Sequence, residues 1–217
     1  VKPSICLVIF VTAACSDGTK KTPDAAPVLF TGELIDWDSG STAVPFCGIF
    51  GATFTARGQT ATDSSNPNGR FMLNLAPPAV VDITPPTAGS QCLTGMPTYS
   101  MPALIVANPA VVASTQLISA RGFTTMRQAS LGVTLDAAKG HVFVHVDGTQ
   151  HAVSVSTGSD AAQTWDGTTW GAGAQGINVF FPNVPAGMTD VEMSGAIGVG
   201  TVPVEAGKIT YVTLVGS

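Results

Sequence analysis

Ionisable side chains are scarce in this chain. Of its 217 residues only 11% are Asp, Glu, Lys or Arg, against about 25% in ordinary soluble domains. Nine basic residues face 14 acidic ones, for a net charge of -5 and an isoelectric point near 4.9. The basic excess that neutralises nucleic-acid phosphates is therefore missing. Glu, Lys, Arg and Leu, the common helix builders, are few, which argues against a helical bundle or coiled coil. The apolar run at residues 5–14 has ten residues, well short of the roughly 20 that a spanning helix needs. Catalytic signatures are missing as well: there is no G-x-S-x-G elbow, no H-E-x-x-H and no Gly-Lys-Ser/Thr phosphate loop. Gly198-Val199-Gly200-Thr201 is glycine-rich, but it lies in a β context with no following helix to hold a phosphate. The chain reads as non-enzymatic, with no cofactor and no metal.

What is present points to strands. The chain has 24 Gly, 15 Pro and 26 Thr, which are turn formers and β-branched residues. A hydrophobic content of 45% is enough to bury a core, so disorder is excluded. The strand signals also recur. Gly32-Glu33-Leu34-Ile35-Asp36 is matched by Gly140-His141-Val142-Phe143-Val144, and Ala52-Thr53-Phe54-Thr55-Ala56 by Ala152-Val153-Ser154-Val155-Ser156. Asn68-Gly69-Arg70-Phe71 is matched by Gln175-Gly176-Ile177-Asn178, and Val81-Asp82-Ile83-Thr84 by Val191-Glu192-Met193-Ser194. The offsets are 108, 100, 107 and 110, so the landmarks keep one order and differ by loop insertions, as a duplicated unit would.

The landmark order resembles the carboxypeptidase regulatory-like domain, a transthyretin-like β-sandwich of the Ig-like Greek-key kind. The first copy carries Gly51-Ala52-Thr53-Phe54, Thr62-Asp63 and Asn68-Gly69-Arg70-Phe71, and departs from the family at Pro77-Pro78-Ala79, where a Gly is expected. The second carries Asn183-Val184-Pro185-Ala186-Gly187 and a closing Val204-Glu205-Ala206-Gly207-Lys208-Ile209-Thr210-Tyr211-Val212-Thr213-Leu214. The resemblance implies an all-β fold of two tandem sandwiches, at 28–118 and 139–217, and no catalytic residues. Val111 to Ile118 reads as a strand closing the first. A connector over 119–138 holds one short helix, Thr124 to Leu131, capped by Thr124 and ended by Gly132.

Lys2, the apolar run and the small residues Ala13-Ala14 make up a secretory signal over 1–14. Val11-Thr12-Ala13-Ala14-Cys15 resembles the lipobox of bacterial lipoproteins, with Thr12 in place of the usual Leu. The resemblance implies lipidation of Cys15, a polar Pro-containing tether over 15–27, and a membrane partner reached through that lipid. Ser16 after the Cys implies sorting to the outer membrane, in a periplasmic or surface-facing position. In that oxidising setting Cys47 and Cys92 are expected to form a disulfide, closing a loop of about 45 residues and contributing about 2–4 kcal/mol. Two buried thiols are the alternative.

Two clusters invite a ligand. Trp165 and Trp170 flank Asp166-Gly167-Thr168-Thr169. Aromatic rings on a loop can stack on sugar faces with Asp166 bonding hydroxyls, or the indoles can pack across a hairpin. Trp37, between Asp36 and Asp38, is open to the same two readings. All three histidines lie in His141-Val142-Phe143-Val144-His145-Val146-Asp147-Gly148-Thr149-Gln150-His151. On a strand His141 and His145 are about 13 Å apart at about 3.3 Å per residue, too far to share a metal. His145 or Asp147 could still meet His151 across a hairpin, but the expectation is a solvated strand face. The acidic residues Glu33, Asp36 and Asp38 lack the spacing of a calcium loop. The expected role is a structural or interaction module at the cell envelope, with envelope proteins or glycans as partners and a carbohydrate-binding module as the alternative.

Overall fold

The computed structural model describes residues 26–36, 48–86, 90–93, 96–98, 102–107, 118–122, 131–166, 169–195 and 200–215. Among them all regular structure is β. In the first half the strands are β1 (Val28–Asp36), β2 (Thr53–Ala56), β3 (Thr62–Ser64), β4 (Arg70–Leu75), β5 (Ala79–Thr84), β6 (Ser90–Leu93), β7 (Met96–Thr98), β8 (Ala103–Ala107) and β9 (Ile118–Gly122). In the second half they are β10 (Gly140–Asp147), β11 (His151–Val155), β12 (Gln163–Trp165), β13 (Trp170–Ala172), β14 (Gln175–Gly176), β15 (Asn178–Val184), β16 (Gly187–Met193), β17 (Gly200–Val204) and β18 (Ile209–Val215).

The duplication is visible strand by strand. In the first half β1 lies between β4, antiparallel, and β9, parallel. In the second, β10 lies between β15, antiparallel, and β18, parallel. The facing sheets run β3-β2-β5-β8 and β14-β11-β16-β17, antiparallel throughout. Each half is thus a two-sheet sandwich with the same wiring. The second half adds the β12–β13 hairpin, which pairs with the outer edge of β15. In the first half β6 and β7 form a separate two-stranded sheet.

The halves meet in one sheet. β8 pairs in parallel with β18, from Ala103↔Ile209 to Val106↔Val212. That joint makes a nine-stranded sheet, β13-β12-β15-β10-β18-β8-β5-β2-β3. One face carries the first core, where Phe30, Leu34, Phe71 and Leu73 from β1 and β4 meet Phe54, Val81 and Ile105, and which extends to Phe143, Phe180 and Tyr211. The other face carries the second core, Val142, Val144, Val179 and Val212 against Val153, Val191 and Val202. Neighbours such as Phe143 and Val144 point to opposite faces because a strand alternates. Strands β10, β15 and β18 are therefore covered on both sides, and their apolar runs are nearly continuous. Strands β2 and β4 have one covered face and alternate strictly between exposed and buried.

Tight geometry fixes the start of β4. Gly69 has φ +76°, and a Cβ there would strike the Leu34 carbonyl oxygen, so the Asn68-Gly69 turn tolerates no side chain at Gly69. Residues 1–25 lie outside the described residues, and with them the signal segment, Cys15 and most of the tether. The expected helix lies outside them too, except for Leu131 and Gly132, which form a turn. Leu131 is buried against the first core. The strand expected from Val111 is described only from Ile118, where β9 begins.

Candidate functional site

The joint between the halves gathers four charged side chains from distant parts of the chain. The turn from β17 to β18 carries Glu205 and Lys208, and the β8–β18 pairing brings it beside β5 and the end of β2. Arg57, the residue after β2, grips Asp82 of β5 with two bonds, Nε to Oδ2 and Nη2 to Oδ1, both 2.6 Å. Its Nη1 reaches across the joint to Glu205 Oε1 at 2.6 Å. Lys208 Nζ returns to Glu205 Oε2 at 2.8 Å and to Asp82 Oδ1 at 3.2 Å. Two cations and two carboxylates close a ring, with both sandwiches contributing.

Hydrogen bonds from Arg57, then Lys208, hold the Asp82 and Glu205 carboxyls below the usual carboxylate range. The same bonds, from Glu205 and then Asp82, raise the Lys208 ammonium, and Arg57 is raised by Asp82 and Glu205 in that order. All four groups stay ionised at neutral pH and are satisfied by one another. That chemistry suits a clamp. It leaves neither carboxylate poised to move a proton, which would need a pKa near the operating pH.

A second polar cluster surrounds His141, which is 1% exposed. The ladder between β10 and β15 slips by one residue between Gly140 and Val142, and Asn183 in the resulting bulge has φ +55°. A bulge releases the extra residue from the ladder. The freed Asn183 N–H donates to His141 Nδ1 at 3.0 Å. The Asn183 side chain accepts from Asp136 N at 2.8 Å and donates to Thr134 O at 2.8 Å and Asp160 Oδ2 at 2.7 Å. This one residue therefore ties the connector and the 160 loop to the sheet. Nδ1 accepts, so a neutral His141 carries its proton on Nε2, which is buried without a hydrogen-bond partner among the described residues. Burial, only partly offset by the charge of Asp136, pushes the imidazole down to about 4.

His141 thus corrects the expectation of a solvated histidine face. On that face of β10 Phe143 belongs to the first core, His141 is enclosed by Phe180, Asn183 and the connector around Asp136, and His145 is half-buried. His145 bonds Asn178 Oδ1 through Nδ1 at 2.8 Å, and His151 bonds Thr149 through Nε2 at 3.0 Å. The histidines are not brought together. Among the described residues no group of three His, Cys, Asp or Glu side chains is placed to hold a metal.

Trp165 and Trp170 face each other across the β12–β13 hairpin in direct register. Their rings are 5.5 Å apart and tilted by 41°. Trp170 also meets Phe143 edge-on at 6.4 Å and joins the rim of the first core. Asp166 closes the turn: its Oδ1 accepts from Thr169 N at 2.7 Å and its Oδ2 from the Thr169 hydroxyl at 3.2 Å. Both indoles are half-buried, and this is the cross-strand packing that the sequence offered as one of two readings. Trp37, Asp38 and Cys47 lie outside the described residues, and of Asp36 and Cys92 only the backbone is described, so the Cys47–Cys92 pairing lies outside them as well.

Sequence reasoning missed both the clamp and the Asn183 hub. Arg57 and Glu205 are 148 positions apart, so no local motif links them. The one local hint is Glu205 and Lys208 three residues apart in a turn of a charge-poor chain.

No protein-family model matches the chain, and neither does any curated protein. Among solved structures, the Bacillus anthracis TIE protein is similar at a TM-score of 0.25 and 12% identity, over 88% of this chain and 34% of that one. The chain spans about a third of that protein's length, and a likeness of this degree carries no argument.

Proposed function

We propose that the chain is a non-enzymatic exported lipoprotein, anchored through Cys15 and acting as a structural or interaction module at the cell envelope. The observation that carries this reading is the fusion of two repeated sandwiches into one nine-stranded sheet, clamped at the joint by the Arg57–Asp82–Glu205–Lys208 ring. Domain interfaces inside a chain usually permit relative motion. Here a shared sheet and an ion ring couple the halves into one stiff unit, which suits a spacer or scaffold. The lipobox-like Val11-Thr12-Ala13-Ala14-Cys15 and the transthyretin-like landmark order support the address and the module type. The Cys47–Cys92 disulfide belongs to the same reading. Lipidation is tested by labelling with an alkyne fatty acid and fractionating cells that express the full chain or its Cys15→Ser variant. The wild type takes label and sediments with membranes, and the variant does neither. Label retained on the variant, or absent from the wild type, refutes the anchor. Glycan partners are tested by affinity-gel retardation of wild type beside Trp165→Ala, and unretarded migration of both removes them.

A further inference from the structure

We propose that the open edge of β4 is a self-pairing surface for a second copy of this chain, kept shut by the side chains of Gln59, Asp63 and Asn66. Strand β4 pairs on one side with β1. Backbone groups of alternate residues point to the other side, here Arg70, Met72, Asn74 and, just past the strand, Ala76. Three of the four are covered by side chains from the neighbouring turns. Asn66 Oδ1 accepts from Arg70 N at 3.0 Å, and Asn66 N donates to Arg70 O at 3.0 Å. Asp63 Oδ2 accepts from Met72 N at 2.7 Å. Gln59 meets both groups of Ala76, accepting from its N–H at 2.9 Å and donating to its carbonyl at 3.0 Å. Asn74 alone has no cap among the described residues.

Without those caps the edge is self-complementary. Two β4 strands laid antiparallel about a two-fold axis through Asn74 would pair Asn74 with Asn74 and Met72 with Ala76, as an isologous contact requires. Met72 and Leu29, each 62% exposed, share the outer face with Asn74, because Leu29 pairs with Asn74 and Thr31 with Met72. They would gain cover in such a pair. The space beside the strand is a groove of about 530 Å³ lined in part by Asp63, Asn66 and Met72. The second half shows that this edge position accepts a strand: its counterpart, β15, is paired antiparallel with β12. Among the described residues of the first half no strand pairs at that edge, and side chains stand in its place. Natural sheets protect unpaired edges by comparable devices.

The test compares the full chain carrying Cys15→Ser, so that no acyl group drives association, with the same chain also carrying Gln59→Ala and Asp63→Ala. Asn66, which builds its own turn, is left in place. By sedimentation velocity the parent is a monomer and the double variant dimerises at least about tenfold more tightly. Adding Asn74→Pro returns it to monomer, since proline removes the N–H on the pairing axis and leaves the β1 ladder intact. A folded double variant as monomeric as its parent overturns the proposal, as does association that survives Asn74→Pro or a parent that already dimerises. Should the double variant not fold, Asp63→Ala alone is titrated with a fluorescein-labelled peptide of residues 70–76. Binding at least about tenfold tighter than the parent's supports the proposal, and equal binding overturns it.

Discussion

Acid should weaken this protein before the Asp82 and Glu205 carboxylates take up protons, and His141 is the reason. In the unfolded chain its imidazole takes a proton near 6.5, whereas burial in the fold holds it off until about 4. The contribution to stability is fully present above 6.5, falls by about 1.4 kcal/mol per pH unit between the two values, and levels off below the lower one. Between pH 7.5 and 5.0 the loss comes to about 2 kcal/mol. The residue is 1% exposed, so solvent screening does not reduce that figure. Asp82 and Glu205 lie below the ordinary carboxylate range, so their contributions are lost only at lower pH. Urea unfolding at pH 7.5, 6.5, 5.5 and 5.0, followed by tryptophan fluorescence, measures the slope. The comparison is with His141→Asn, whose Oδ1 can still accept from Asn183 N but which does not titrate. The variant starts less stable, because a ring is lost from the core, but its pH response should be flatter than the wild type's by about 2 kcal/mol over that range. Parallel pH profiles for the two proteins would refute the assignment.

Arg57→Ala should lower stability by about 1 kcal/mol, since the ring is about a third exposed, and should weaken the dependence of the melting temperature on salt between 20 and 500 mM NaCl. An unchanged salt dependence would mean that the ring contributes nothing at the joint. At position 183 chemical denaturation should rank wild type above Asn183→Gly and Gly above Ala. Both variants lose the bonds to Thr134, Asp136 and Asp160, about 2 kcal/mol, and alanine adds the strain of a positive φ, about 1 kcal/mol. Phe143→Leu and Val144→Ala strike opposite cores through adjacent residues, at about 1–3 kcal/mol each. Because the cores share one sheet, each should shift a single cooperative transition, seen alike by fluorescence and near-ultraviolet circular dichroism, and two separated transitions would contradict the shared sheet.

The parts of the fold that the sequence made legible are those decided locally. The alternation of Thr53 to Ala56 and of Arg70 to Leu75 appears in the structure as alternate exposure and burial, because each strand has one covered face. Asn68-Gly69 marks a turn because Gly69 must adopt a positive φ with no room for a Cβ. The four paired landmarks fall on β1 and β10, β2 and β11, β4 with β14–β15, and β5 and β16, so the duplicated order was readable even where loop lengths differ. The tryptophan pair was legible only as one of two readings, and the rings pack across the β12–β13 hairpin.

What stayed hidden depends on residues far apart in the chain. Whether His141 meets solvent or protein is decided by what lies over β10, and the groups that enclose it, Phe180, Asn183 and the connector around Asp136, lie outside residues 140–147. The same holds for the clamp, because Asp82 and Lys208, 126 positions apart, become neighbours only once β8 has paired with β18. The run from Ile209 to Val215 does carry a trace of this. Every residue of it except Val215 is buried, so polar Thr210 and Thr213 sit inside, and Thr210 is satisfied by donating to the Pro203 carbonyl at 2.6 Å. A strand that is apolar at both parities, with threonines as its polar residues, already asks for cover on both faces. In a tandem repeat that request is met either by a third layer or by a shared sheet, and a shared sheet needs an unguarded edge on each repeat. β8 and β18 provide those edges, whereas β15 is taken by a hairpin and β4 is capped by side chains.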